Sequence, residues 1–189
     1  MPAIESKVIT LGSPAPDFSL PDPGGEIHSL PGAGQAPAIV VAFICNHCPY
    51  VKHIAPALAE VSAGLIERGA AVFAINSNDS GAYPDDSPDR MAVEAGGWGY
   101  PFPYLVDRDQ KVARDYGATY TPDLFVFDSG RRLVYRGQFD SSRPNRGERA
   151  TGEDLRIAVE AVLDDRPVPE PQLPSVGCSI KWLPVEGPG

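Results

Sequence analysis

Two cysteines, Cys45 and Cys48, are separated by an asparagine and a histidine and follow an apolar run at residues 38–44. Continuous apolar runs of this length are typical of buried strands, and apolar residues at three- and four-residue steps predict a helix over residues 46–67. Residues three apart on a helix lie side by side, within the distance that a disulfide spans. The spacing therefore predicts a dithiol that can close to a disulfide and reopen.

The predicted helix also bears on the chemistry of the first thiol. A helix N-terminus carries partial positive charge and unsatisfied N–H donors, which favour a thiolate. We therefore expect the thiol of Cys45 to ionise more readily than an ordinary cysteine. A cysteine pair of this spacing beside a strand–helix–strand pattern is typical of redox proteins.

The rest of the chain must position this pair. Alternating residues over 12–30, with a Pro-Gly-Gly turn, predict an N-terminal hairpin. Further along, the pattern predicts a buried strand at 70–76, a Gly/Pro/Asp-rich insertion at 77–101 with a short helix near 88–95, a short strand at 102–106, a short helix at 110–116, strands at 124–127 and 133–139 and a last helix at 153–164. This order predicts an α/β fold with a mixed central sheet and helices on both faces.

Length and composition narrow the class of protein. A chain of 189 residues predicts one domain, with a core at about 12–165 and a proline-rich tail at 166–189. The net charge of −9 argues against nucleic acid and anionic membranes as partners. Acidic residues are scattered, and we interpret most of them, including Asp85, Asp86 and Asp89, as solvated surface.

Location is predicted from what the chain lacks. No stretch approaches the apolar length of a membrane span, and the first residues lack a basic region followed by an apolar run, so we expect no signal peptide. Three cysteines cannot all pair within one chain and do not form a secreted disulfide scaffold. We therefore expect a cytoplasmic protein.

The order of elements, with Thr121-Pro122 leading into the late hairpin, resembles the thioredoxin fold over about residues 12–165. The early Gly-x-Pro-Ala-Pro-Asp-Phe-x-Leu motif and the insertion resemble the redoxin branch, which holds reductases of cytochrome maturation and peroxiredoxins of the alkyl hydroperoxide reductase type. Cys-Asn-His-Cys-Pro-Tyr at 45–50 and Gly-Cys-x-Ile-Lys-Trp at 177–182 are similar to motifs of small bacterial proteins that are called thioredoxins or thiol-disulfide isomerases.

This resemblance implies roles for individual residues. Cys45 would be the attacking thiol, and Cys48 the resolving thiol that releases the substrate. Pro122 would be a cis-proline facing the pair, and Thr121 would offer backbone hydrogen bonds to an extended substrate. The implied activity is thiol–disulfide oxidoreductase chemistry on protein or small-molecule disulfides, with an upstream thiol reductant and without a cofactor.

Neighbouring residues set the details of the predicted site. Asn46 and Pro49, beside the cysteines, are candidate contacts with the substrate. An imidazolium at His47 would favour the Cys45 thiolate, which predicts a redox potential less negative than thioredoxin's roughly −270 mV. The strand at 38–44 carries no acid, so the buried carboxylate that serves thioredoxin as proton acceptor has no counterpart on it.

A peroxiredoxin-like thiol peroxidase is the first alternative. The peroxidatic cysteine of that class has Thr or Ser three residues before it and Pro seven residues before it. Upstream of Cys45 these places hold Ala42 and Ala38, and upstream of Cys48 they hold Cys45 and Val41. The sequence therefore does not predict the peroxide pocket.

A metal site is the second alternative, from a different class. Cys45, His47 and Cys48, with His53 or Cys178, are residue types that bind copper(I) or zinc. A single group of this kind without a second pair of ligands is a weak signal, so we predict no metal.

Cys178 has two interpretations. It is either a third thiol folded back near the pair, able to trap or relay a disulfide, or a small apolar residue that packs the tail beside Ile180 and Trp182. Free cysteine is among the most buried residue types, which favours the second interpretation.

Overall fold

The computed structural model describes residues 9–184. The strands in this part of the chain are β1 (Ser19–Pro21), β2 (Ile27–Ser29), β3 (Ala38–Phe43), β4 (Ala71–Asn76), β5 (Tyr104–Val106), β6 (Tyr120–Thr121), β7 (Asp123–Asp128), β8 (Leu133–Gly137) and β9 (Cys178–Ser179). The α-helices are α1 (Pro49–Glu67), α2 (Pro88–Trp98), α3 (Lys111–Tyr116) and α4 (Glu153–Leu163). Short 3-10 turns lie at Pro31–Ala33 and Pro84–Asp86.

The central sheet has five strands in the order β5-β4-β3-β7-β8. β3 pairs parallel with β4, and β4 pairs parallel with β5, whereas β7 pairs antiparallel with both β3 and β8. β1 and β2 form the predicted N-terminal hairpin. The predicted mixed sheet is therefore confirmed, and β3, which leads into the two cysteines, is its central strand.

Both faces of β3 are buried, which explains its continuous apolar sequence. Val40 and Ala42 belong to a core cluster that includes residues of α1, α2 and α4. Val41 and Phe43 belong to a second cluster, which includes residues of α3 and of the N-terminal hairpin. The prediction of helices on both faces is thus correct, and the dithiol follows the most buried strand of the sheet.

Helix α1 begins at Pro49, three residues later than predicted. Cys48 is its N-cap residue, with the extended backbone angles φ −67° and ψ 123°. Proline is favoured at the first helical position, and it disfavours helical geometry in the residue before it. Cys45 and Cys48 therefore do not share a helical turn, because Cys45 lies in the loop and Cys48 at the helix start.

The tail contains a strand, β9, that pairs with the domain and that the sequence did not predict. β9 lies antiparallel to β6, with Cys178 opposite Thr121 and Ser179 opposite Tyr120. Residues 1–8, on which the signal-peptide prediction partly rests, and the last tail proline, at position 188, lie outside the described residues. Among residues 9–184, none of the helices has the length and apolar character needed to cross a membrane.

Candidate active site

The loop after β3 and the start of α1 bring the two thiols to Thr121, at the end of β6. The Sγ atom of Cys45 lies 3.3 Å from the hydroxyl oxygen of Thr121, and the Sγ atom of Cys48 lies 3.2 Å from its carbonyl oxygen. Cys45 is 2% exposed and Cys48 is fully buried, and both thiols are free. The chain thus presents a reduced, enclosed dithiol.

Pro122 joins the same group of residues. The Thr121–Pro122 peptide bond is cis, as the resemblance implies, and Pro122 is buried between β6 and β7. Four of the predicted site residues therefore meet at one place, where the loop after β3, the start of α1 and the end of β6 converge. Their individual roles stay predictions.

The pKa values of the two thiols shift in opposite directions. The hydrogen bond between them raises the pKa of Cys45 and lowers the pKa of Cys48, since the proton stays on Cys45. Burial and the nearby charge of Asp86 raise the pKa of Cys45 further, whereas the backbone N–H of Val51, in the first turn of α1, lowers the pKa of Cys48. The expectation that the helix N-terminus favours the Cys45 thiolate is therefore wrong. Because α1 begins at Pro49, the N–H groups of its first turn stabilise the thiolate of Cys48 and not that of Cys45.

Asp86 is a buried carboxylate at the site that the sequence interpretation assigned to the surface. Its Oδ1 atom accepts from the backbone N–H of Asn46 at 2.7 Å and from the amide of Asn76 at 3.3 Å. Its Oδ2 atom accepts from the amide of Asn78 at 2.9 Å and from Nδ1 of His47 at 2.5 Å. The Asp86 side chain is fully buried. The insertion thus supplies the carboxylate that the strand before the cysteines lacks.

His47 interacts with this carboxylate instead of standing free beside the first thiol. Its ring pairs with Asp86 and stacks on Tyr83, with ring centroids 5.5 Å apart and planes 10° apart. The Asp86 carboxylate that pairs with His47 raises the pKa of Cys45. The effect of His47 on the redox potential stays a prediction.

Asn46 and Pro49 differ in their availability to a substrate. The side-chain oxygen of Asn46 accepts from the Tyr104 hydroxyl at 2.9 Å, and its amide donates to the backbone oxygen of Asp85 at 2.8 Å. Asn46 is buried and ties the loop to the insertion. Pro49 is exposed at the start of α1, so a contact between Pro49 and the substrate stays a prediction.

The tail brings the third cysteine to the dithiol. Cys178 is half-buried and packs against the core cluster that contains Cys48. Burial, followed by the interaction with the Cys48 thiol, raises the pKa of Cys178 to about 11. Both interpretations of Cys178 therefore describe part of its setting, because it packs the tail and also lies beside the pair. The tail also occupies the edge of Thr121 that was predicted to bind an extended substrate.

The predicted metal ligands do not come together as a set. In the described part of the chain, Cys45, His47 and Asp86 have ligand atoms within 4.8 Å of one another, and His53 is not among them. The Nε2 atom of His53 instead lies 2.8 Å from the hydroxyl of Ser142. Both oxygens of Asp86 already accept hydrogen bonds, so a metal ion would have to displace its present partners.

Comparison with known proteins places the chain among relatives. Residues 11–136, more than half of the chain, match the model of the AhpC/TSA family. The chain belongs to the AhpC/TSA family. It is 25% identical over 129 residues to the thiol-disulfide oxidoreductase ResA of Geobacillus thermodenitrificans, covering 68% of this chain and 70% of that protein.

Two solved structures show how this AhpC/TSA family member folds. A hypothetical protein of Sinorhizobium meliloti 1021 is 50% identical, with a TM-score of 0.91 and coverage of 94% of this chain and 97% of that one. The thioredoxin domain of a thiol-disulfide oxidoreductase from Bacteroides vulgatus is 17% identical, with a TM-score of 0.64 and coverage of 82% and 99%. The predicted thioredoxin-like fold is confirmed.

Proposed function

We propose that this protein is a thiol–disulfide oxidoreductase that works through Cys45 and Cys48. The observation that carries the proposal is the pair of free, buried thiols, whose Sγ atoms lie 3.3 Å and 3.2 Å from the hydroxyl and carbonyl oxygens of Thr121. Such a pair forms a disulfide by losing two protons and two electrons, which a substrate disulfide accepts to become two thiols. The relationship to a thiol-disulfide oxidoreductase supports this direction of chemistry.

The contacts of the two sulfurs support different roles for them. Cys48 is fully buried beneath Thr121 and beside Cys178, so an incoming disulfide meets Cys45 first. The thiolate is the attacking form. The lowered pKa of Cys48 favours its thiolate, and that thiolate is the acceptor for the Cys45 proton. Cys45 attacks as its proton passes to Cys48, and a mixed disulfide forms while one substrate thiolate leaves.

The second step releases the substrate. Cys48 loses its proton to the departing substrate thiolate or to solvent, and its thiolate attacks the Sγ atom of Cys45. The backbone N–H of Val51 stabilises that thiolate. The mixed disulfide breaks, the second substrate thiol leaves, and Cys45 and Cys48 form a disulfide. A thiol reductant must then restore the dithiol, and in a reducing cytoplasm the dithiol is the resting form.

The Cys48→Ser variant tests this sequence of steps. We expect it to accumulate a mixed disulfide with insulin or with a disulfide peptide, because the resolving thiol is gone while Cys45 remains. Mass spectrometry after an acid quench should locate the adduct on Cys45, and a Cys45→Ser/Cys48→Ser variant should show no adduct at that position. If Cys48→Ser gains no adduct on Cys45, the proposed function is wrong.

A thiol peroxidase remains the alternative function, and two observations favour it. The chain belongs to a family named for an alkyl hydroperoxide reductase, and the Thr121 hydroxyl lies 3.3 Å from the Cys45 sulfur. The charge of Asp86 raises the pKa of Cys45, and since the thiolate attacks both disulfides and peroxides, this shift does not distinguish the two functions. In the same Cys48→Ser variant, a peroxidase would form a Cys45 sulfenic acid with hydrogen peroxide far faster than free cysteine does.

A further inference from the structure

The tail positions a cysteine at the dithiol through a close backbone approach. A Cβ atom added to Gly177 would lie 2.1 Å from the carbonyl oxygen of Thr121 and 3.1 Å from Cδ of Pro122. Only glycine fits there, because real Cβ atoms do not approach backbone that closely. The same Thr121 oxygen lies 3.2 Å from the Sγ atom of Cys48. The glycine before Cys178 therefore brings the tail to the atom that Cys48 also contacts.

Strand pairing fixes the next residue of the tail. Cys178 lies directly opposite Thr121 in the β6–β9 pair, and the backbone N–H of Ile180 donates to the oxygen of Thr119 at 3.0 Å. Residues opposite each other in an antiparallel pair have Cα atoms roughly 4.5–5.5 Å apart. With Cys48 against the same threonine, the two cysteines are neighbours across it.

Hydrogen bonds hold the tail on both sides of Cys178. Before it, the hydroxyl of Ser175 donates to the oxygen of Gly137 at 2.8 Å. After it, the backbone N–H of Lys181 donates to Oδ1 of Asn78 at 2.9 Å, and the side-chain amide of Gln110 donates to the backbone oxygen of Lys181 at 2.9 Å. Ile180 is 3% exposed. These contacts on both sides of Cys178 fix its position in the fold.

We propose that Cys178 is a third redox thiol that exchanges with the Cys45–Cys48 disulfide, a step that rests on the proposed function. The Cys178 thiolate attacks the Sγ atom of Cys48, the Cys48–Cys178 bond forms, and the Cys45–Cys48 bond breaks. Cys45 leaves as a thiolate and takes up the proton that Cys178 released. One disulfide replaces another, so no further oxidant is needed.

The exchange would leave the oxidised protein with a disulfide between Cys48 and Cys178 and a free thiol on Cys45. The disulfide moves to the buried side of the site, where it ties the tail across β6, and Cys45 becomes a free thiol again. An oxidised molecule would then carry an available nucleophile at the position that meets substrate first. Cys178 would act on substrates only through Cys48.

The Cys45→Ser variant tests the pair directly, because it leaves Cys48 and Cys178 as the remaining thiols. With glutathione disulfide we expect loss of both thiols and a peptide map with a Cys48–Cys178 bond within one chain. The Cys45→Ser/Cys178→Ser variant, which lacks one member of the pair, should form no disulfide within the chain. A stable glutathione adduct on Cys48 with a titratable Cys178 in the single variant would overturn the proposal.

Two alanine substitutions in the Cys45→Ser background test whether the fold places Cys178. Gly177→Ala displaces the tail without removing a thiol, whereas Gly96→Ala, in α2, meets no atom within 4 Å. We expect Gly177→Ala to need at least about tenfold more glutathione disulfide than Gly96→Ala for half of the molecules to form the Cys48–Cys178 bond, because the effective concentration of Cys178 near Cys48 falls. Equal requirements would overturn the proposal.

Wild-type protein provides a test that does not depend on any variant folding. Oxidised protein, quenched in acid after brief exposure to iodoacetamide, should carry label on Cys45 in part of the molecules; label on Cys178 alone would contradict the exchange. Failure here is distinct from failure of the proposed function. If Cys48→Ser still traps substrate on Cys45, dithiol exchange stands and only the role of Cys178 is lost.

Discussion

Replacement of Cys45 by serine is expected to lower the rate of insulin reduction to that of dithiothreitol alone. The nucleophile in disulfide exchange is a thiolate, and a serine hydroxyl at the same place does not ionise in the working pH range. Cys48 remains in this variant, but it is fully buried beneath Thr121. The measurement is the turbidity of precipitating insulin B chain, followed with dithiothreitol as the reductant.

The comparison of two substitutions at position 45 separates chemistry from folding. Cys45→Ser and Cys45→Ala differ in polarity, but both remove the sulfur, so both should lose activity while circular dichroism and thermal unfolding show a folded protein. Substantial insulin reduction by either folded variant would mean that another thiol attacks the substrate, and the role of Cys45 would be wrong.

The second large effect is expected from Asp86→Asn. Beside the interaction with Cys48 and burial, the charge of the Asp86 carboxylate raises the pKa of Cys45, so the neutral amide should lower that pKa and make the thiol more reactive at a given pH. Alkylation of Cys45 by iodoacetamide, read from its peptide by mass spectrometry, should then rise at lower pH than in the wild type. The sign follows because the alkylation rate increases with the fraction of thiolate, and that fraction grows as pH passes the pKa.

The same substitution should reduce stability. Asp86 accepts hydrogen bonds on both oxygens, and an asparagine would turn one oxygen into an N–H group that faces donors. Leaving buried polar groups without partners costs about 1–3 kcal/mol, which we expect as a lower free energy of unfolding in urea.

Asp85→Asn is the matched control for both effects of Asp86→Asn. It makes the same change in net charge at an exposed neighbour, where substitutions usually alter stability by less than about 0.5 kcal/mol. An unchanged pH profile of Cys45 in Asp86→Asn, or equal profiles in the two variants, would show that the Asp86 charge does not act on the thiol.

The sheet and most helices were predictable because their signals are local. β3 and β4 are continuous apolar runs, and α4 has apolar residues at helical spacing, so each element could be located without knowledge of its neighbours. The start of α1 was misplaced although a local signal existed. Pro49 is favoured at the first helical position, whereas the apolar spacing within the helix does not mark where it begins.

The electrostatics of the site were not predictable, because they depend on pairs distant in the chain. Asp86 accepts the N–H of Asn46 from 40 positions away, and neighbouring aspartates made it resemble solvated surface. Cys178 reaches the dithiol only through the pairing of β9 with β6. The motif around Cys178 marked it as unusual, but no spacing in the sequence connects it with Cys48.

The most direct test of dithiol exchange is a single turnover at equal concentrations. Reduced wild-type protein is mixed with one equivalent of a peptide disulfide, quenched in acid and analysed by mass spectrometry. Exchange predicts that each protein molecule loses two hydrogens to an intramolecular disulfide while one peptide disulfide becomes two thiols. Protein that keeps its reduced mass beside an intact peptide disulfide would contradict the proposed function.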